Sequence, residues 1–119
     1  EGSQNRAIFQ VEELERRVLN DKALAKTIVG EFVKDLVQQL DDLQEIVRAE
    51  DVDAFKKQIH KMKGAAANVG ASEVKEVIED IEQSVINDAD FSELTFYGDC
   101  ISKSCRDVRD EMQLYIKDS

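Results

Sequence analysis

Asp51-Val52-Asp53-Ala54-Phe55-Lys56-Lys57-Gln58-Ile59-His60-Lys61-Met62-Lys63-Gly64-Ala65-Ala66-Ala67-Asn68-Val69-Gly70-Ala71 carries its larger apolar side chains at Val52, Phe55, Ile59 and Met62 and continues the stripe through Ala66 and Val69. Steps of three and four residues are the period of an α-helix buried along one stripe, and an alternating 3-4-3-4-3 seam is that of a helix packed in a bundle. Asp51 is suited to cap the start of this helix. Gly70 is suited to the left-handed conformation that closes one.

Segments with the same period lie on either side. Val11, Leu14 and Val18 share a face of a short helix near Val11 to Leu19. Asn20 or Asp21 resembles the N-cap of a long helix reaching about Ala49, striped by Ala25, Val29, Phe32, Leu36, Leu40, Leu43 and Val47. Ile28, Val33, Val37 and Ile46 widen that stripe, which predicts contact with more than one neighbour. After Gly70 a helix from about Ser72 to Ile86 turns Val74, Ile78, Ile81 and Val85 inward. Asn87 to Asp90 reads as a turn, and Asp90-Phe91-Ser92-Glu93 as a capping-box-like start. The last helix aligns Leu94, Tyr97, Ile101, Cys105, Val108, Met112 and Tyr115. Short connections between long amphipathic helices predict an all-α fold: an antiparallel up-down four-helix bundle with a short additional N-terminal helix.

Composition agrees. The 119 residues include no proline and five glycines, so nothing forces a break inside the long helices. Residues 8–119 are expected to form a single domain, preceded by a flexible leader or expression remnant at 1–7. No apolar run approaches the roughly 20 residues of a membrane span, and the polar amino terminus has no signal-peptide core. Direct membrane contact is therefore not expected. A net charge of −10 argues against binding nucleic acid through its phosphates. Cys100 and Cys105 are five apart, which on a helix points them about 140° from each other and against a mutual disulfide. Two unpaired thiols suit a reducing, cytoplasmic compartment. With a single histidine and no close Cys-x-x-Cys pair, no metal site is expected.

That histidine is His60. It lies one residue past Ile59, about 100° around the helix from the seam, on a flanking face with Lys56, Lys63 and Ala67. A neutral imidazole titrates near pH 7 and can attack phosphorus. Lys63, one turn on, is placed to neutralise phosphoryl oxygens. Gly64 lowers the side-chain wall beside the ring, and glycine inside a helix costs about 0.5–1 kcal/mol relative to alanine. Ala67 keeps the next turn low. Lys56, Lys57, Lys61 and Lys63 form a basic island on an acidic chain, suited to an acidic partner surface. Each feature also has a plainer reading: an idle surface histidine, a glycine at a tight helix crossing, a solvated charged face.

His60-Lys61-Met62-Lys63-Gly64, followed by Val69-Gly70-Ala71, resembles the histidine-containing phosphotransfer (HPt) domain family. The family pattern is histidine, any residue, usually leucine, then lysine and glycine, with an apolar-Gly-Ala ending. Met62 stands in the leucine position and Ile59 where alanine is frequent. The resemblance extends over roughly Phe9 to Lys117. It implies a phosphorelay intermediate in two-component signal transduction, with Nε2 of His60 accepting a phosphoryl group from a receiver-domain aspartyl phosphate and giving it to another receiver's aspartate. Lys63 would steady the phosphoryl oxygens, Gly64 would admit the receiver, and Gly70 and Ala71 would complete the motif. The implied partners are response-regulator receiver domains and a hybrid sensor histidine kinase. Mg²⁺ would sit on the receiver, leaving this chain without a cofactor of its own.

Autophosphorylation from ATP is not expected. No glycine-rich phosphate loop is present, and Lys61 and Ala65 stand where the kinase-type dimerisation helix would have an acidic residue and a proline. The chain would then be a monomeric phosphocarrier, either free in the cytoplasm or the cytoplasmic part of a larger membrane sensor kinase; the polar leader and abrupt ends favour the latter. Ile28 and Val33, with Ile8 and Phe9, are candidates for an apolar docking patch near His60. The competing reading is a non-catalytic helical adaptor that binds a partner through the same face.

Overall fold

The structure, a computed structural model, describes residues 8–88 and 91–117, with side chains outside 85–92. Five helices follow one another: α1 (Val11–Arg17), α2 (Lys22–Arg48), α3 (Val52–Val69), α4 (Ser72–Asp88) and α5 (Phe91–Lys117). α2 packs against α3 and α5, and α4 packs against the same two, closing a four-cornered bundle with α1 beside it. The described residues contain no strand.

Local chemistry sets the helix ends. The Asp21 carboxylate accepts from the Leu24 amide at 3.1 Å and the Asp51 carboxylate from the Ala54 amide at 3.0 Å, each satisfying a donor the helix leaves unpaired. Of the two expected caps for α2, Asp21 is the one used. Gly70 closes α3 at φ 78°, with the Ala71 amide returning to the Ala66 carbonyl at 2.9 Å. A Cβ at Gly70 would meet the Gln10 carbonyl oxygen at 3.0 Å, because the Gln10 amide donates to the Gly70 carbonyl there at 2.8 Å. The same glycine thus ends α3 and receives the lead into α1.

The core holds the expected stripes. Phe55, Ile59, Met62, Ala66 and Val69 of α3 are buried with Leu14, Leu36, Leu43, Ile78, Leu94, Ile101 and Met112. Leu40, Val47, Val52, Tyr97 and Tyr115 pack at its edge, half-buried. Cys105 is buried and burial pushes its thiol up to about 12, while Cys100 is half-buried; both are free.

Three local expectations are corrected. Val37 does not widen the core; it is 57% exposed, on the outer side of α2. α1 stops at Arg17, because Leu19 and Asn20 take left-handed φ values of 56° and 64° that turn the chain into α2. Asn87 and Asp88 continue α4 instead of forming a turn. Ala89 and Asp90, the leader at 1–7 and the inward placement of Val85 lie outside what is described.

Candidate functional site

His60 is on α3 and its side chain is 73% exposed, as expected for a residue one step off a buried seam. Its surroundings come from two helices. Nδ1 lies 3.2 Å from Oε2 of Glu82 on α4, and Nζ of Lys63 donates to Oε1 of the same carboxylate at 2.8 Å. One carboxylate therefore bridges the ring and the cation. The side chains of Lys63 and Glu82 are about three-quarters withdrawn from solvent, so the pair sits at the α3–α4 seam beneath an exposed imidazole.

Burial works against ionisation of Glu82, but hydrogen bonds and charge from Lys63 and His60 outweigh it and hold the carboxyl below its ordinary value. Glu82 is thus an anion at neutral pH and can only accept. Against it, Nδ1 is the donor. In the neutral ring the lone pair then rests on Nε2.

The flanking residues divide by side. Lys57 and Lys61 are exposed; Lys56 is half-buried. Gly64 is exposed, and a Cβ built on it meets nothing within 4 Å, so no helix crossing requires glycine there. Ala67 is half-buried, and its carbonyl, with that of Asn68, accepts from Nη1 of Arg17 at 3.1 Å. That arginine ties α1 to the end of α3, opposite the partial negative charge of its last carbonyls.

The apolar candidates lie on several faces. Gln58 donates from Nε2 to the Gln39 carbonyl at 3.2 Å, which puts α2 against the side of α3 that bears Gln58. His60 is two residues on, about 200° around the helix. Ile28 is eleven residues before Gln39, on the same face of α2 and toward the far end of α3. Val33 is seven residues after Lys26, whose Nζ lies 5.9 Å over the Tyr115 ring of α5, so Val33 shares the α5 side. Phe9 is buried edge-on against Tyr115 at 5.6 Å, and Ile8 packs against the core. Helix rotation, which the sequence left open, turns Ile28 toward the Gln58 side of α3 and Val33 toward α5.

Sequence reasoning missed Glu82 and Arg17. Glu82 carried a usable signal: it follows the buried Ile81 by one residue, as His60 follows the buried Ile59. Two antiparallel helices with seams facing one core can bring such flanking positions together. Among the described residues no group of three or more His, Cys, Asp or Glu side chains converges as a metal set would, and no helix is long and apolar enough to cross a membrane.

A helical bundle presenting one exposed, carboxylate-oriented histidine beside a lysine belongs to the class of histidine phosphotransfer domains. The profile of the Hpt domain family matches residues 27–113, and the chain belongs to that family. Its role is accordingly phosphotransfer in two-component signalling. The fold is also similar to the crystal structure of an HPT domain from a sensor hybrid histidine kinase of Shewanella, with a TM-score of 0.79 over 94% of this chain and 96% of that one, at 13% identity. Among curated proteins none matches the sequence.

Proposed function

We propose that this chain is a phosphorelay intermediate in which Nε2 of His60 takes a phosphoryl group from an aspartyl phosphate of a response-regulator receiver domain and yields it to the aspartate of another. The observation that supports this most is the Glu82–Nδ1 hydrogen bond, which leaves the nucleophilic lone pair on the outward nitrogen.

The step balances without a cofactor on this chain. The Nε2 lone pair forms a bond to phosphorus, the bond from phosphorus to the aspartyl oxygen breaks, and its electron pair leaves on the carboxylate. Nδ1 keeps its proton, so the phosphorylated ring carries positive charge facing the Glu82 anion. That charge makes the ring a good leaving group for the return step, and Glu82 stabilises it. Lys63 turns from Oε1 of Glu82 toward the phosphoryl oxygens, a short movement for a flexible ammonium. The basic residues Lys56, Lys57 and Lys61 draw in the anionic partner, and the open lane at Gly64 lets its backbone approach. In this reading Mg²⁺ comes with the receiver, the phosphoryl source upstream is a hybrid sensor histidine kinase, and the chain acts as a cytoplasmic monomer.

A panel of receiver domains, each phosphorylated and mixed with the chain, tests the reading. Acid-labile, alkali-stable label is expected on wild type and absent from His60→Gln. Equal labelling of the two would sink the proposal and leave the adaptor reading.

A further inference from the structure

The groove that holds His60 does not end at Glu82. Seven residues after His60 on α3 is Ala67, and seven residues before Glu82 on α4 is Lys75. Residues seven apart share a helix face, so in antiparallel helices Ala67 and Lys75 repeat the His60–Glu82 pairing about 10 Å along the same α3–α4 groove. There the groove opens into a cleft of about 210 Å³ walled by Ala67, Gly70 and Lys75, with α1 closing it through Glu13 and Arg17. Nη1 of Arg17 donates to the Ala67 and Asn68 carbonyls, both at 3.1 Å. Among the described residues no other nitrogen of that guanidinium has a partner. The N–H groups on Nε and Nη2 are therefore open beside the cleft. Lys75, on the opposite wall, pairs with Glu79 at 3.1 Å.

We propose that this cleft is a specificity subsite for the phosphoryl-exchanging receiver, and that Arg17 takes one carboxylate side chain of the receiver there. The inference rests on the phosphotransfer reading and adds to it a contact two helical turns from the imidazole. A guanidinium is a planar fork that matches a carboxylate with two parallel hydrogen bonds. Here the fork is pinned by Nη1 to the end of α3, so its open edge is already positioned and little freedom is lost on binding. Glu13, four residues earlier on α1, stands at the same cleft without a hydrogen bond to Arg17, and its charge only weakens the pull on a second carboxylate. The cleft is smaller than the roughly 300–1,000 Å³ of small-molecule pockets and continues the groove of His60, so what fits it is one side chain of a protein already seated at the imidazole. A receiver that brings a cation to this place meets Arg17 and Lys75 and is disfavoured by like charge.

Transfer from the fastest donor in the receiver panel, followed against donor concentration, tests this, with the small molecule phosphoramidate as a probe of His60 that needs no docking. Arg17→Lys keeps a cation and a donor for the α3 carbonyls but has no fork. It is expected to raise the half-saturating donor concentration about tenfold, with the saturated rate and phosphoramidate labelling as in wild type. Glu13→Gln removes the resident anion and is expected to lower that concentration about two- to threefold, a gain that a merely structural role for α1 does not produce. Receiver variants with single Asp→Asn or Glu→Gln changes identify the docked carboxylate. One of them should lose as much as Arg17→Lys does, and the two together no more than either alone. An unchanged half-saturating concentration in Arg17→Lys, an equal fall in phosphoramidate labelling, or additive losses for every receiver variant overturns the subsite alone. If no receiver labels the wild type, the phosphotransfer reading falls and this one with it.

Discussion

Nδ1 of His60 and Oε2 of Glu82 are 3.2 Å apart, and that contact joins the exposed ring on α3 to a carboxylate on α4 that Lys63 also holds. In the proposed transfer the carboxylate is a positioning group, acting through the proton it keeps on Nδ1. Glu82→Ala is therefore expected to let the neutral ring sample both tautomers. Nitrogen NMR should show Nδ1–H dominant in wild type and a mixture in the variant. Transfer should fall on the order of tenfold, within the range that proton management contributes, and the phosphohistidine should return its phosphoryl group more slowly. An unchanged tautomer ratio would show that Glu82 does not orient the ring.

Lys63 is held by the Glu82 carboxylate at rest, and in the proposed transfer it serves the phosphoryl oxygens as well. Lys63→Ala should slow labelling by a receiver roughly tenfold or more, since a fixed cation at a developing negative charge is worth that much in a partly shielded site. The fold should survive, with a stability change of about 1 kcal/mol or less, because Lys63 lies off the buried seam and its ion pair is partly solvated. Circular dichroism and a urea midpoint check this second half. Lys63→Arg keeps the charge and should recover part of the rate.

The ionisation of Glu82 also enters stability. Its folded-state carboxyl is held below the ordinary 4.5, first against burial and then by Lys63 and His60. A depressed carboxyl stabilises the fold at pH values above its unfolded value, and that contribution is lost as pH falls through the folded value. The difference in urea midpoint between wild type and Glu82→Gln should therefore be flat above pH 4.5 and shrink below it. A difference that grew on acidification would contradict the assigned direction.

Much of this was legible in one chain because a bundle helix writes its buried face into the spacing of its residues. The seam of Phe55, Ile59, Met62 and Ala66 gave the fold and put His60 outside it; Asp51 and Gly70 gave the ends of α3. Partners across helices were less legible. Placing Glu82 at His60 requires the rotation and axial register of α4 against α3, and neither follows from α4's own period. The same gap hid that Val33 lies on the α5 side of α2: apolar spacing says that a side chain packs, and not against which neighbour. The early stop of α1 was hidden because Leu19, unlike glycine or asparagine, does not advertise a left-handed backbone. Fold is a property of each helix face, whereas a site belongs to two faces at once.

Gly64 separates packing from access. Its φ is not in the left-handed region and a Cβ there would meet nothing within 4 Å, so the fold has no use for glycine at this point. Gly64→Ala should raise stability by about 0.5–1 kcal/mol, the helix-propensity gain, and should fit beneath a docked partner with little loss of rate. Gly64→Leu should keep the fold and the phosphoramidate-labelling rate of His60, yet slow transfer from a receiver by an order of magnitude or more, because a branched side chain then stands in the lane the partner's backbone needs. The comparison of small-molecule and receiver labelling isolates docking from chemistry. If Gly64→Leu accepts phosphoryl groups from receivers as fast as wild type, the lane beside His60 is not where the partner lies.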